Sequence, residues 1–204
     1  MRISELGRTS GVAVATIKYY LREGLLHEGR LTSATQAQYD ESHVARLRLV
    51  RALIGVGGLS VAAAREVLAQ LDDPPETMHD LLGAAHRSLG PAVDDEVDTG
   101  AAEAVLERLG WRVQSADRQA VRQLAAALDA LEAADFPLSE DAVLTYARAM
   151  RELAEGEVSG VPVESKETAV RYLVLGTVLV EPLLLALRRL AQADASARRY
   201  GDGS

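Results

Sequence analysis

The chain of 204 residues contains no cysteine. Disulfides, thiolate metal sites and cysteine nucleophiles are therefore excluded. Aromatic residues make up only 4%, with one Trp and one Phe, so the core must rest on Leu, Val and Ala. That composition favours helices. The first residues, Met1-Arg2-Ile3-Ser4-Glu5, lack the basic-then-apolar layout of a secretory signal, and the expected location is the cytoplasm. A long apolar run is missing too. Tyr172 to Val180 carries no charge, but Glu181-Pro182 interrupts it before Leu183 to Leu187. A membrane span needs about 20 mostly apolar residues, so no membrane is expected as a partner. Phosphate loops, nucleophile motifs and metal triads are absent, and the chain reads as no enzyme, with no cofactor and no metal.

What is present is a division of charge. The net charge of −8 speaks against a surface that coats a polyanion. Residues 1–70, however, hold 9 basic and 6 acidic side chains, a net of +3. The remainder holds 13 and 24, a net of −11. Asp72-Asp73-Pro74-Pro75 marks the boundary, because two prolines behind two acids end a helix. The expected domains are residues 1–71, a linker at 72–75, and 76–204. The acidic stretch between Gly90-Pro91 and Gly100 reads as a solvated loop.

In the basic head, Ile3 to Gly7 is a short helix, Thr9-Ser10-Gly11 a turn, and Ala13 to Glu23 a second helix ended by Gly24. Two short helices around a glycine-containing turn form a helix-turn-helix. On the second helix Ile17, Tyr20 and Leu21 face inward, while Ala15, Lys18, Tyr19 and Arg22 share the opposite face. A small residue, two cations and a tyrosine hydroxyl suit a helix entering the major groove. An amphipathic surface helix with snorkelling cations fits the same pattern. The next segment decides. Leu25-Leu26-His27 and Gln36 to Tyr39 are expected to be two strands around Gly29 to Ser33, which makes a wing. Ser42 to Val56 then reads as a helix with Val44, Leu47, Val50 and Ile54 inward and Arg46, Arg48 and Arg51 toward solvent. Ser60 is expected to cap a helix reaching Leu71.

Several motifs of this head carry a family resemblance. They are Ile3-Ser4-Glu5-Leu6, Ser10-Gly11-Val12, Thr16-Ile17-Lys18-Tyr19-Tyr20, Arg22-Glu23-Gly24-Leu25-Leu26, Tyr39-Asp40-Glu41 and Leu59-Ser60-Val61. In that order they resemble the DNA-binding domain of the MerR family of bacterial transcription regulators, over about a third of the chain. The resemblance implies a winged helix-turn-helix, dimeric binding to a pseudo-palindromic promoter site, RNA polymerase as a partner there, and control by a C-terminal effector domain. Matching positions put Thr16, Lys18, Tyr19 and Arg22 at the DNA. The family's wing carries a Gly-Tyr-Arg triplet where this chain has Thr35, Gln36 and Ala37. Its wing arginine is missing, which leaves Arg30, Gln36 and Gln38 as the replacement contacts.

The acidic body reads as helices throughout, so the expected fold is mainly α: a winged head with a small β wing, then an all-helical effector and dimerisation domain. Helices are expected at 76–89, 101–109, 115–134, from the Ser139 cap onward, and at 165–193, with a loop at 156–162. Val121, Leu124, Leu128 and Leu131 have the spacing of a coiled-coil seam. The last helix, apolar nearly all round, reads as central or as a homodimer interface. His79 and His86, seven apart, read as surface histidines. A small organic effector is the remaining class of signal, with Trp111, Phe136, Tyr146 and Tyr172 available to line its pocket, although each also reads as core. The alternative function is an architectural or chromosome-segregation protein that uses the same head without a ligand.

Overall fold

Gly7 and Gly11 shape the first turn. In the computed structural model, which describes residues 1–33, 36–87, 89, 93–114 and 117–201, a Cβ on Gly7 would lie 2.9 Å from the Val12 carbonyl oxygen. Gly11 closes helix α1 (Ile3–Ser10) at φ +67°, a left-handed conformation that suits glycine. Helix α2 (Val14–Arg22) follows, with Ile17 and Tyr20 buried. It ends at Gly24, φ +71°, where the Gly24 N–H bonds to the Leu21 carbonyl and the Leu25 N–H to the Tyr20 carbonyl. That is a Schellman closure, which folds Leu25 back onto the helix it terminates.

This closure corrects the expected first strand. Leu25 and Leu26 are almost wholly buried as helix-end core residues, not strand residues. Strand β1 is Arg30–Ser33, within the segment expected to be the turn, and it pairs antiparallel with β2 (Gln36–Gln38). Arg30 faces Gln38 and Leu31 faces Ala37, with a register irregularity before Ser33. Thr35 lies outside the described residues, as do Gly90-Pro91 and Ser115. Backbone hydrogen bonds in both directions between Met1 and Tyr39 close the base of the wing.

Helix α3 (Glu41–Ile54) starts with a capping box: Asp40 accepts from the Ser42 N–H at 3.0 Å, and His43 Nδ1 accepts from the Asp40 N–H at 3.1 Å. Val44, Leu47, Val50 and Leu53 form its buried stripe; Leu53 replaces the expected Ile54, which is half-buried. Helix α4 (Val61–Asp72) is capped by Ser60, whose hydroxyl accepts from the Ala63 N–H at 3.1 Å. The head is thus a winged helix-turn-helix with a two-stranded wing, and the remainder of the described chain is helical.

The chain separates into two compact units, Met1–Asp72 with the residues from Leu175 onward, and Asp73–Val174. In the first unit the last helix, α9 (Lys166–Tyr200), packs Val178 beside Gly57, where an added Cβ would approach to 3.1 Å. The second unit holds α5 (Met78–Arg87), α6 (Gly100–Leu109), α7 (Arg118–Ala133) and α8 (Glu140–Ser159), with the first turns of α9. Helix α7 packs on α5 and α6, and α6 also meets α8. The Ser139 hydroxyl caps α8 by accepting from the Ala142 N–H, and Glu140 in its first turn pairs with Arg108.

Two expected boundaries are corrected. Helix α8 continues through Gly156 to Ser159, and α9 runs seven residues past Ala193 to Tyr200. A single glycine costs a helix about 1 kcal/mol, too little to break a 20-residue one. The Ala- and Arg-rich tail is itself helix-favouring. Helix α9 is also not buried on every side. Ala169, Val170, Leu173, Val174 and Val178 are buried, whereas Leu183, Leu187 and Leu190 are 53%, 52% and 66% exposed.

Candidate nucleic-acid interface

The outward face of α2 follows the expected periodicity. Ala15, Lys18 and Arg22 are exposed, Thr16 and Tyr19 half-buried, and Ile17 and Tyr20 buried behind them. The Arg22 guanidinium lies 5.2 Å from the centre of the Tyr19 ring, a cation–π contact that leaves its N–H groups accessible. Arg22 also meets Glu23 at 3.4 Å, a weak exposed pair. Tyr20 serves as core, while Tyr19 keeps its ring at the surface.

Two side chains hold the end of this helix in place from outside it. Arg65 on α4 donates to the Glu23 carbonyl at 2.7 Å and to the Glu23 carboxylate at 3.0 Å. Arg46 on α3 donates to the Leu25 carbonyl at 3.0 Å and makes a two-pronged pair with Asp72 at 2.8 and 2.6 Å. Arg46 is therefore a structural clamp and not the solvent-facing residue that its place among Arg46, Arg48 and Arg51 implies. Arg51 reaches across the turn to the Ser10 carbonyl at 3.4 Å, and Arg48 stays exposed.

On the wing, Arg30 donates to the Gln38 side chain at 3.1 Å, so these two expected contacts form one cross-strand unit. Gln36 is exposed at the other end of β2. Between them Leu31 is 73% exposed, an apolar side chain on a polar ribbon. In the sequence Leu31 shows only as an isolated leucine inside the expected turn Gly29 to Ser33.

A second constellation joins residues too far apart in sequence for motif or periodicity to reveal. His27, before the wing, packs against His43, after it, with ring centres 3.9 Å apart and ring planes tilted by 41°. His27 Nε2 lies 3.1 Å from the Ser42 hydroxyl, which donates to Asp40 at 2.6 Å, and His43 Nδ1 lies 2.8 Å from Asp40. The cluster ties the two ends of the wing together. His27, Asp40 and His43 offer ligand atoms within 4.8 Å of one another, but His43 Nδ1 is already engaged by the Asp40 N–H as part of the capping box.

Burial, helped by the neighbouring His43 and Arg46, holds His27 below the ordinary imidazole value of 6.5. Hydrogen bonds from the Ser42 hydroxyl and the Ser42 backbone N–H hold Asp40 well below the usual carboxylate range. The fold thus favours neutral His27 and ionised Asp40. Both contributions are present at neutral pH. The first is lost as pH falls through 6.5 and the second as it falls below 3.8. The thermal midpoint is expected to drop as pH falls below 6.5, and His27→Gln should flatten that part of the profile, as read by circular dichroism.

In the helical unit, Trp111 is half-buried and lines a groove, whereas Phe136, Tyr146 and Tyr172 are 56%, 56% and 41% exposed and do not line it. His79 is exposed and His86 half-buried, both on α5.

The MerR HTH family of regulatory proteins matches residues 1–71. The HTH-type transcriptional regulator ZntR homolog of Haemophilus influenzae is 38% identical over 50 residues, which cover 24% of this chain and 37% of that protein. The chain thus spans little more than a third of that curated relative. SCO5550 of Streptomyces coelicolor A3(2), a proposed transcriptional regulator of known structure, is 40% identical, with full coverage of both chains and a TM-score of 0.65. With this head, this wing and these relatives, the chain belongs to the MerR family of DNA-binding transcription regulators.

Proposed function

We propose that this regulator binds a pseudo-palindromic promoter site as a homodimer, with α2 in the major groove and the wing beside it. The observation that carries this reading is the split of α2 into a buried Ile17–Tyr20 side and an exposed Ala15–Lys18–Arg22 side with Thr16 and Tyr19 at its edge. Lys18 and Arg22 meet phosphates or guanine edges, and Tyr19 donates its hydroxyl to a phosphate. Arg30, Gln36 and Gln38 supply the wing's polar contacts. By family membership RNA polymerase is the partner at the promoter and the cytoplasm the place of action. The chain acts without catalysis, and a small organic ligand in the helical unit controls it.

The dimer contact is assigned to α9. The α7 seam is half-buried against α5 and α6 within one chain, whereas Leu183, Leu187 and Leu190 form an open 4-then-3 seam. Because this part of α9 belongs to the same compact unit as the head, the pairing sets the distance between the two recognition helices.

Footprinting across genomic fragments tests the reading. Protection of discrete sites with two symmetric half-sites, centred a whole number of helical turns apart, is the expected result. Protection that spreads without sequence boundaries would instead make the protein architectural.

A further inference from the structure

The helical unit contains a groove of about 510 Å³ between α6 and α7, within the range of small-molecule sites. The turn that ends α6 builds it. Gly110 adopts φ +64°, its N–H bonds to the Glu107 carbonyl, and the Trp111 N–H bonds to the Leu106 carbonyl at 3.0 Å. This is a second Schellman closure, and it brings Trp111 back beside Leu106. Arg151 fixes the indole further: its guanidinium lies 5.5 Å from the ring centre and donates to the Leu109 carbonyl at 2.7 Å. The apolar lining consists of Leu106, Trp111, Val113 and Val121.

Its charges are arranged on opposite walls. Glu103 and Glu107 stand on α6, Arg118 and Arg122 on α7. Glu103 accepts from the Thr99 hydroxyl at 2.8 Å, and Arg122 pairs with Asp95 at 2.6 Å. Glu107 and Arg118 have no ion pair among the described residues. The indole N–H of Trp111 is buried and likewise has no hydrogen-bond partner among them, an arrangement that costs stability unless an acceptor arrives.

We propose that this groove binds a small zwitterion with a flat apolar body, the chemistry of an aromatic amino acid. The apolar body stacks on the Trp111 indole between Leu106 and Val121. Its carboxylate meets Arg118, and its ammonium meets Glu107. The site rests on the reading above that an organic ligand controls this regulator, and it gives that ligand a chemical class and a place.

Trp111 is the chain's one tryptophan, so its fluorescence reports on this groove alone. The full-length protein is titrated with L-phenylalanine, 3-phenylpropionate and 2-phenylethylamine, none of which emits in the tryptophan band. A saturable change with L-phenylalanine, at least tenfold tighter than with either singly charged analogue, is the expected result. Arg118→Ala should bring L-phenylalanine level with phenylethylamine, and Glu107→Gln should bring it level with phenylpropionate. No saturable change up to about ten millimolar, or equal binding of all three compounds, overturns the assignment, and this comparison needs no variant to fold. Binding without any effect on operator affinity would confirm the site and remove its regulatory role. An operator response to the amino acid without a Trp111 signal would keep the regulation and overturn the site.

Discussion

Leu187→Glu combined with Leu190→Glu is expected to convert a dimer into a monomer and to weaken operator binding by about 10²–10⁴-fold. Both side chains are more than half exposed within one chain, so the substitutions remove no core packing and helical content should stay unchanged. What they remove is the seam that, in the proposed dimer, makes the second head's binding intramolecular. Linking two heads turns the second contact into a local event, with an effective concentration in the millimolar range for short connections. That advantage disappears when the seam is charged. Light scattering should report twice the 21.8 kDa of the chain for the parent and the single mass for the variant. A variant that stays dimeric would move the interface away from α9.

Lys18→Ala with Arg22→Ala is the second large effect. Each lysine or arginine on a phosphate releases condensed counterions, and each contact contributes about 0.9 to the slope of log affinity against log salt. At about 0.15 M salt that corresponds to roughly fivefold per contact, or about 25-fold for the pair. An additional loss of about 1–3 kcal/mol confined to one base position would show that Arg22 reads a guanine edge and not only a phosphate. Neither side chain is buried, so thermal stability should change little.

The head was legible in the sequence because its punctuation is local. Gly11 and Gly24 end helices in the left-handed conformation, and Ile17, Tyr20, Val44, Leu47 and Val50 repeat at helical spacing. The misplaced first strand has a physical origin. Leu25 and Leu26 carry strand-like apolarity, but their burial is used to close α2, and the polar Arg30–Ser33 forms the ribbon through backbone pairing that composition does not announce. The Arg46–Asp72 clamp and the His27–Asp40–His43 cluster join residues separated by a wing or a whole helix, contacts that periodicity cannot foresee. The same holds for the groove in the helical unit. Trp111 could be picked out by its rarity, but Glu107 and Arg118 face one groove only because Gly110 turns the chain back between α6 and α7.

Salt dependence of operator binding, measured for the parent, Lys18→Ala, Arg22→Ala and the double variant, shows whether the exposed face of α2 is the surface that reads DNA, as proposed. The slope is expected to shrink by about 0.9 for each single variant and by about 1.8 for the double. A slope unchanged in all three would take α2 out of the interface.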